Sequence, residues 1–318
     1  MTNDIWILGR IGYDLYALEH NRALPEVATF ERHLGGSSAN MAVGLARLGL
    51  KVGIISAVGD DLLADYLFDF LKREHVDTRF VARVAGFNTS LCLTEVWPPE
   101  RFRQVFYRAR PADSQIKLSD EAAAEVRTAK MFITNGTNLA ESPGREAALE
   151  ALGVARAAGA ETVFDVDYRA SSWPNARAAG EAAKAALPHV SVLLANEEEL
   201  ALLTGSEDAR EQVRAVLAGG VRVLVHKLGA RGVEAHTANT SVHAESRTEK
   251  LVCAVGGGDG FASGFLYALF RGFELPRALD YGNAAAAIVV QQVPCAPVMP
   301  RLPELEAHLA RAAAKARS

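Results

Sequence analysis

Residues 192–227 read VLLANEEELALLTGSEDAREQVRAVLAGGVRVLVHK. The stretch opens on a short apolar run, 192–195, and closes on another, 221–227, and both have strand length. Between them lie two runs with helical character, 197–203 and 208–218. A strand, a helical crossover and a second strand describe a parallel pair, because a parallel connection needs a dozen or more residues to return the chain. The same alternation extends outward. Strands are predicted at 5–9, 52–58, 131–134 and 162–166, with helices at 38–48, 62–74, 145–158 and 176–187. The predicted fold class is therefore α/β, a doubly wound, Rossmann-like sheet with helices on both faces.

Two stretches interrupt this rhythm, 12–34 and 88–107. The second alternates through Ser90-Leu91-Cys92-Leu93-Thr94-Glu95-Val96 and Gln104-Val105-Phe106-Tyr107. Both read as strands inserted into the core, a small β-lid over one edge. A two-strand passage at 233–238 and 241–245 leads to a glycine cluster, then two apolar helices at 258–271 and 276–292, and an Ala/Arg-rich surface helix at 303–318. No repeat or linker divides the chain, so 1–318 is expected to form a single domain.

With 34 Lys and Arg against 38 Asp and Glu, a net charge of −4, the chain offers no footprint for nucleic acid or an anionic membrane. The first ten residues fail as a signal peptide and no apolar run reaches membrane-spanning length. Three dispersed cysteines, Cys92, Cys253 and Cys295, form neither a disulfide framework nor a metal motif, and a reducing cytoplasm is the expected location.

The chemistry begins at Val255-Gly256-Gly257-Gly258-Asp259-Gly260. Three glycines before a helix bare backbone amides where the helix dipole is positive, which is an anion site. A carboxylate there repels phosphate unless it takes a proton from the attacking hydroxyl, so Asp259 is either a general base or a helix cap. Gly35-Gly36-Ser37-Ser38-Ala39-Asn40 opens another helix, either for close packing or with Asn40 gripping substrate hydroxyls. Asn196 and Glu199, three apart on one helix face, either order a hydrated Mg²⁺ or give a favourable acidic first turn. His226-Lys227-Leu228-Gly229-Ala230-Arg231-Gly232 is a strand followed by a Gly-x-x-Gly turn. The first strand lacks the Gly-x-Gly-x-x-Gly of a dinucleotide dehydrogenase.

Taken in order, these four motifs resemble the PfkB (ribokinase-like) family of carbohydrate kinases over nearly the whole chain. The resemblance implies a ribokinase-like core with a lid that buries the sugar and makes a homodimer, and it implies ATP and Mg²⁺ as cofactors. It makes Asp259 the catalytic base and Gly256, Gly257 and Gly258 the anion hole. It assigns Asp14, Gly35, Gly36 and Asn40 to the sugar, and Asn196 with Glu199 to Mg²⁺ and phosphate. Asn196, Lys227, Gly229, Gly232, Gly258 and Asn283 form the nucleotide set. Cys253 replaces the oxygen side chain with which several relatives build a monovalent-cation (K⁺) site, and Gly257 replaces a frequent alanine.

Further stretches, Leu8-Gly9-Arg10-Ile11-Gly12-Tyr13-Asp14, Asn21-Arg22, Thr94-Glu95, Phe106-Tyr107-Arg108 and Phe164-Asp165-Val166-Asp167-Tyr168-Arg169 with Trp173, are similar to the myo-inositol-catabolism kinases of that family. They imply phosphorylation of the 6-hydroxyl of 5-dehydro-2-deoxy-D-gluconate. Arg22, Arg108 and Arg169 suit a sugar acid because arginine forks match carboxylates; the alternative for each is an ion pair with a neighbouring carboxylate or a nucleotide phosphate. Tyr107 is either a hydroxyl partner or lid core. A 2-dehydro-3-deoxygluconokinase or fructokinase is the alternative activity. Outside the enzymes, the alternative is a non-catalytic sensor of sugar acid and nucleotide.

Overall fold

The computed structural model describes residues 2–99, 101–293 and 295–315. Its large sheet holds β1 (Ile5–Leu8), β4 (Val52–Gly59), β5 (Asp77–Val84), β8 (Met131–Asn135), β9 (Glu161–Asp165), β10 (Val192–Asn196), β11 (Val223–Lys227), β12 (Val233–His236) and β13 (Ser241–Ala244). The spatial order is β13-β12-β11-β10-β9-β8-β1-β4-β5. Every pair from β11 to β5 is parallel, and β12 and β13 add an antiparallel edge.

Successive strand residues serve opposite cores, which is why these strands read as unbroken apolar runs. Ile5, Ile7, Ile133, Leu194 and Val225 face one core, closed by α1 (Ser37–Arg47), α2 (Leu62–Arg73), α8 (Gly257–Phe270) and α9 (Leu275–Val289). Trp6, Leu8, Phe132, Leu193 and Leu224 face the other. That side is closed by α3 (Asp120–Thr128), α4 (Gly144–Ala157), α5 (Ala176–Ala186), α6 (Glu197–Thr204) and α7 (Ala209–Ala218). The last helix, α10 (Leu302–Lys315), buries Leu305 against the first core. The predicted end of that helix at 316–318 lies outside the described residues. No helix among the described residues is long and apolar enough to cross a membrane.

The two insertions make the expected lid, a separate sheet of order β3-β2-β6-β7 from β2 (Gly12–Ala17), β3 (Phe30–Gly35), β6 (Ser90–Thr94) and β7 (Gln104–Tyr107). Two elements were missing from the sequence prediction. β5 is an edge strand with Arg79 and Arg83 on a half-exposed surface, so it lacks the continuous apolar run of its neighbours. α3 is short and covers the core with little besides Ala122 and Val126.

Candidate active site

The carboxyl ends of β1, β8, β9, β10 and β11 open in one direction, and the helices that follow begin there, the usual place for a ligand in an open α/β sheet. α8 starts at Gly256, whose φ of +83° favours glycine; a Cβ there would lie 2.4 Å from the Cys295 sulfur. Asp259 sits in the first turn of α8. The Ser37 hydroxyl donates to its Oδ1 at 2.7 Å and Asn40 Nδ2 donates to its Oδ2 at 2.8 Å. Both donors come from the start of α1, so the two glycine-led helices are joined through one carboxylate. Burial raises the Asp259 carboxyl above its ordinary value, and the two hydrogen bonds only partly offset this.

The lid delivers the second carboxylate. Asp14 on β2 lies so close to the chain of β3 that a Cβ on Gly35 would fall 2.0 Å from its Oδ2, and glycine alone leaves that space. Burial pushes Asp14 up to about 6, against the pull of Arg10. A third group lies past β9. Asp165 accepts a hydrogen bond from Lys227 Nζ at 2.8 Å, and Asp167 faces Arg169 at 3.0 Å. Asp167 has φ +36°, a strained conformation for a side-chain-bearing residue. Burial lifts its carboxyl to about 6, and its Oδ2 is buried without a hydrogen-bond partner. Burial opposes the Lys227 charge, yet Asp165 and Glu199 hold its value above the ordinary lysine range.

On the α8/α9 side of β11 a cavity of about 620 Å³ is lined by Lys227, Gly229, Gly232, Gly257, Gly258 and Asn283. Nothing lies within 4 Å of a Cβ built on Gly258, so its backbone is open to an incoming group. Among the described residues, the Gly256 and Gly258 amides donate to no backbone carbonyl, whereas the Gly257 amide donates to Ala254 O at 3.2 Å. This corrects the expectation that all three glycine amides are open to an anion.

Other expected site residues lie in different settings. Asn196 and Glu199 form a reciprocal cap on α6: Asn196 Oδ1 accepts from Glu199 N, and Glu199 Oε2 accepts from Asn196 N. The other Glu199 oxygen accepts from Tyr168 N, so both carboxylate oxygens already hold backbone amides. Asn283 lines the cavity, but its amide donates to the Ala244 and Glu245 carbonyls and so fastens β13 to α9. Asn40 gives its Nδ2 to Asp259, and its buried Oδ1 has no partner.

The arginine set is redistributed. Arg108 is held by the buried Asp113 at 2.6 Å, the ion pair that was the alternative to a substrate carboxylate. Arg22 is exposed in the lid loop, and Tyr107 is 60% exposed on β7. Arg169 is paired with Asp167 at 3.0 Å, again the ion pair that was the alternative to a substrate carboxylate. Arg10 was missed: it follows β1, lies over the Phe106 ring at 5.6 Å, and buries an Nε that has no partner. Its signal was its position just past the first strand, directly after Gly9. Ser37 was missed as a partner of Asp259 because only folding brings α1 to α8. Cys253 is buried with its amide bonded to Val290 O and contributes no side-chain oxygen.

The profile of the pfkB family carbohydrate kinases matches residues 2–302. The 5-dehydro-2-deoxygluconokinase of Lacticaseibacillus casei is 35% identical over 316 residues, 98% of this chain and 97% of its own length. That of Shouchella clausii (strain KSM-K16) is 35% identical over 308 residues, 96% and 94% of the two chains. Among solved structures, a PfkB protein from Polaromonas sp. JS666 superposes with a TM-score of 0.85 at 27% identity, over 96% of this chain and all of that one (100%). A putative ribokinase II from E. coli, solved with ATP and Mg²⁺, has a TM-score of 0.88 at 23% identity, covering 98% and 100%, and speaks for the fold. A match that runs through nearly every element, with relatives of the same length, means that the chain belongs to the pfkB family of carbohydrate kinases and is a phosphotransferase acting on an alcohol group.

Proposed function

We propose that the chain is a 5-dehydro-2-deoxygluconokinase, transferring the γ-phosphoryl group of ATP to the 6-hydroxyl of 5-dehydro-2-deoxy-D-gluconate. The observation that carries the reaction is the Asp259 carboxylate, held at the start of α8 by Ser37 and Asn40, beside the bare Gly258 backbone. Asp259 accepts the proton of the attacking hydroxyl, and the Gly256 and Gly258 amides stabilise charge on the phosphoryl oxygens. Burial raises Asp259 above an ordinary carboxylate, which makes it the better proton acceptor.

The cavity at Gly229, Gly232 and Asn283 takes the nucleotide. The partnerless Asp167 Oδ2, next to Asp165, fits a ligand that carries a cation. Mg²⁺ arriving with ATP supplies positive charge to the phosphates. Asp165, Asp167 and, through water, Glu199 are the carboxylates that would hold it. On the sugar side, Asp14 accepts from substrate hydroxyls and Arg10 supplies a guanidinium for the acid group, with Arg169 as the second cation. The buried Arg10 Nε has no partner within the protein, and a carboxylate would give it a charge-assisted hydrogen bond, stronger than a sugar hydroxyl provides.

Leu18, Val105 and Tyr107 are exposed on the lid, and they support a homodimer through that sheet. Three free, buried cysteines fit a reducing cytoplasm.

The test is ADP release from Mg·ATP with 5-dehydro-2-deoxygluconate, 2-dehydro-3-deoxygluconate, fructose and ribose offered separately. The expected result is a kcat/KM for the first acid well above the others, with Arg10→Met narrowing that preference. A higher kcat/KM for a neutral sugar contradicts the assignment of substrate, and no turnover with any of them contradicts the kinase reading of this panel.

A further inference from the structure

The edge of the large sheet carries a second cluster that phosphoryl transfer does not use. His226 on β11 is the cross-strand partner of Glu234 on β12, and His236 follows two residues later on the same face. One ligand atom from each of the three lies within 4.8 Å of the other two. Leu224 shares this face and packs into the α6/α7 core, whereas Val233 lines the nucleotide cavity; the cluster is therefore on the back of the strands that border that cavity.

Three observations suit a cation. His226 is only 3% exposed and its Nε2 has no hydrogen-bond partner, a state that buried polar atoms rarely keep. His236 is held at both nitrogens: Nδ1 meets Ser241 Oγ at 2.9 Å and Nε2 meets Glu234 Oε2 at 3.1 Å. Glu234 can only accept, so without a metal the proton of that pair sits on Nε2; a cation takes the proton's place, and Nδ1–H donating to Ser241 then orients the ring as the outer partner of a metal-ligating histidine does. The other Glu234 oxygen faces His243 Nδ1 at 3.6 Å across the next strand pair, which orients the carboxylate. The nearby Arg231 cation is paired with Glu197.

We propose that His226, Glu234 and His236 bind one divalent cation of the zinc class, Zn²⁺, Co²⁺ or Ni²⁺, with water completing the coordination. Two imidazoles and one carboxylate select these borderline ions over Mg²⁺, which prefers oxygen ligands. Small side-chain rotations bring the three atoms to the roughly 2.0–2.2 Å that zinc requires. The ion ties β11 to β12, and the turn between them, Gly229–Arg231, borders the nucleotide cavity.

The experiment uses the full chain after chelator treatment, titrated with ZnCl₂ by calorimetry in excess MgCl₂. One equivalent of Zn²⁺ should bind and raise the melting temperature, and CoCl₂ in its place should give visible absorption bands. Glu234→Gln and His236→Asn, both on partly exposed residues, should lower affinity by at least about 10-fold while keeping kinase turnover as the report of folding. Ser241→Ala, which removes only the Nδ1 partner of His236, should also weaken binding. Asp259→Asn should bind Zn²⁺ as the wild type does. No uptake in excess Mg²⁺, or equal affinity in Glu234→Gln and His236→Asn, overturns the proposal.

Discussion

Asp14 stands where function and stability oppose each other. Its carboxyl is raised from 3.8 to about 6 by burial, so the folded state binds the proton more tightly than the unfolded chain. The stability that this represents is fully present below pH 3.8 and is lost as the pH rises through about 6, leaving an ionised, poorly solvated group at neutral pH. Asp14→Asn removes the charge with little change in shape. It should melt higher than the wild type at neutral pH, by up to about 3 kcal/mol, and the difference should vanish in acid. Turnover should fall sharply in the same variant. A melting temperature below the wild type at neutral pH would show that the charge is compensated in the fold. Asp259 stood out in the sequence as a carboxylate among glycines, whereas Asp14 came only with the family resemblance. Arg10, Ser37 and Asp167 were not legible there, because their meaning depends on an orphaned nitrogen, a contact across 222 residues and a strained backbone.

At the level of elements, the two glycine-led helix starts carry the site, and their glycines are not equivalent. Gly256 combines φ +83° with the Cys295 sulfur at 2.4 Å from a would-be Cβ. Gly256→Ala should cost about 1–3 kcal/mol and raise the KM for ATP, read from thermal melts and initial rates. A Cβ on Gly257 would meet only Val290 Cγ1 at 2.8 Å, the end of a side chain that can turn, so Gly257→Ala should be milder. Equal melting of both variants with the wild type would contradict this account of the α8 start. Most of these elements were visible in the sequence because parallel strands, buried on both faces, read as plain apolar runs. β5 was hidden by its half-exposed edge position, and the function of Asn196 and Glu199 as a cap competed with their reading as metal holders.

At the scale of the molecule, the lid and the core are joined at Asp61. Its carboxylate caps α2 through Leu63 N and Ala64 N, and it also accepts from the Thr89 amide and hydroxyl at the root of β6. Asp61→Ala therefore removes a helix cap and a lid anchor together, and should lose about 1–2 kcal/mol of stability with a higher KM for the sugar. Val105 and Tyr107 face outward on β7 of the same lid. If the sheet forms a dimer, Val105→Lys with Tyr107→Lys should convert the dimer to a monomer in light scattering, and a monomeric wild type would contradict that arrangement. The central claim is that this fold brings Asp259 to a transferred phosphoryl group as its base. The most direct measurement compares ADP release and ATP binding in Asp259→Asn and the wild type, with 5-dehydro-2-deoxygluconate as acceptor. The account predicts a loss on the order of 10²–10⁴ in kcat with unchanged ATP affinity; near-wild-type turnover in Asp259→Asn would contradict it.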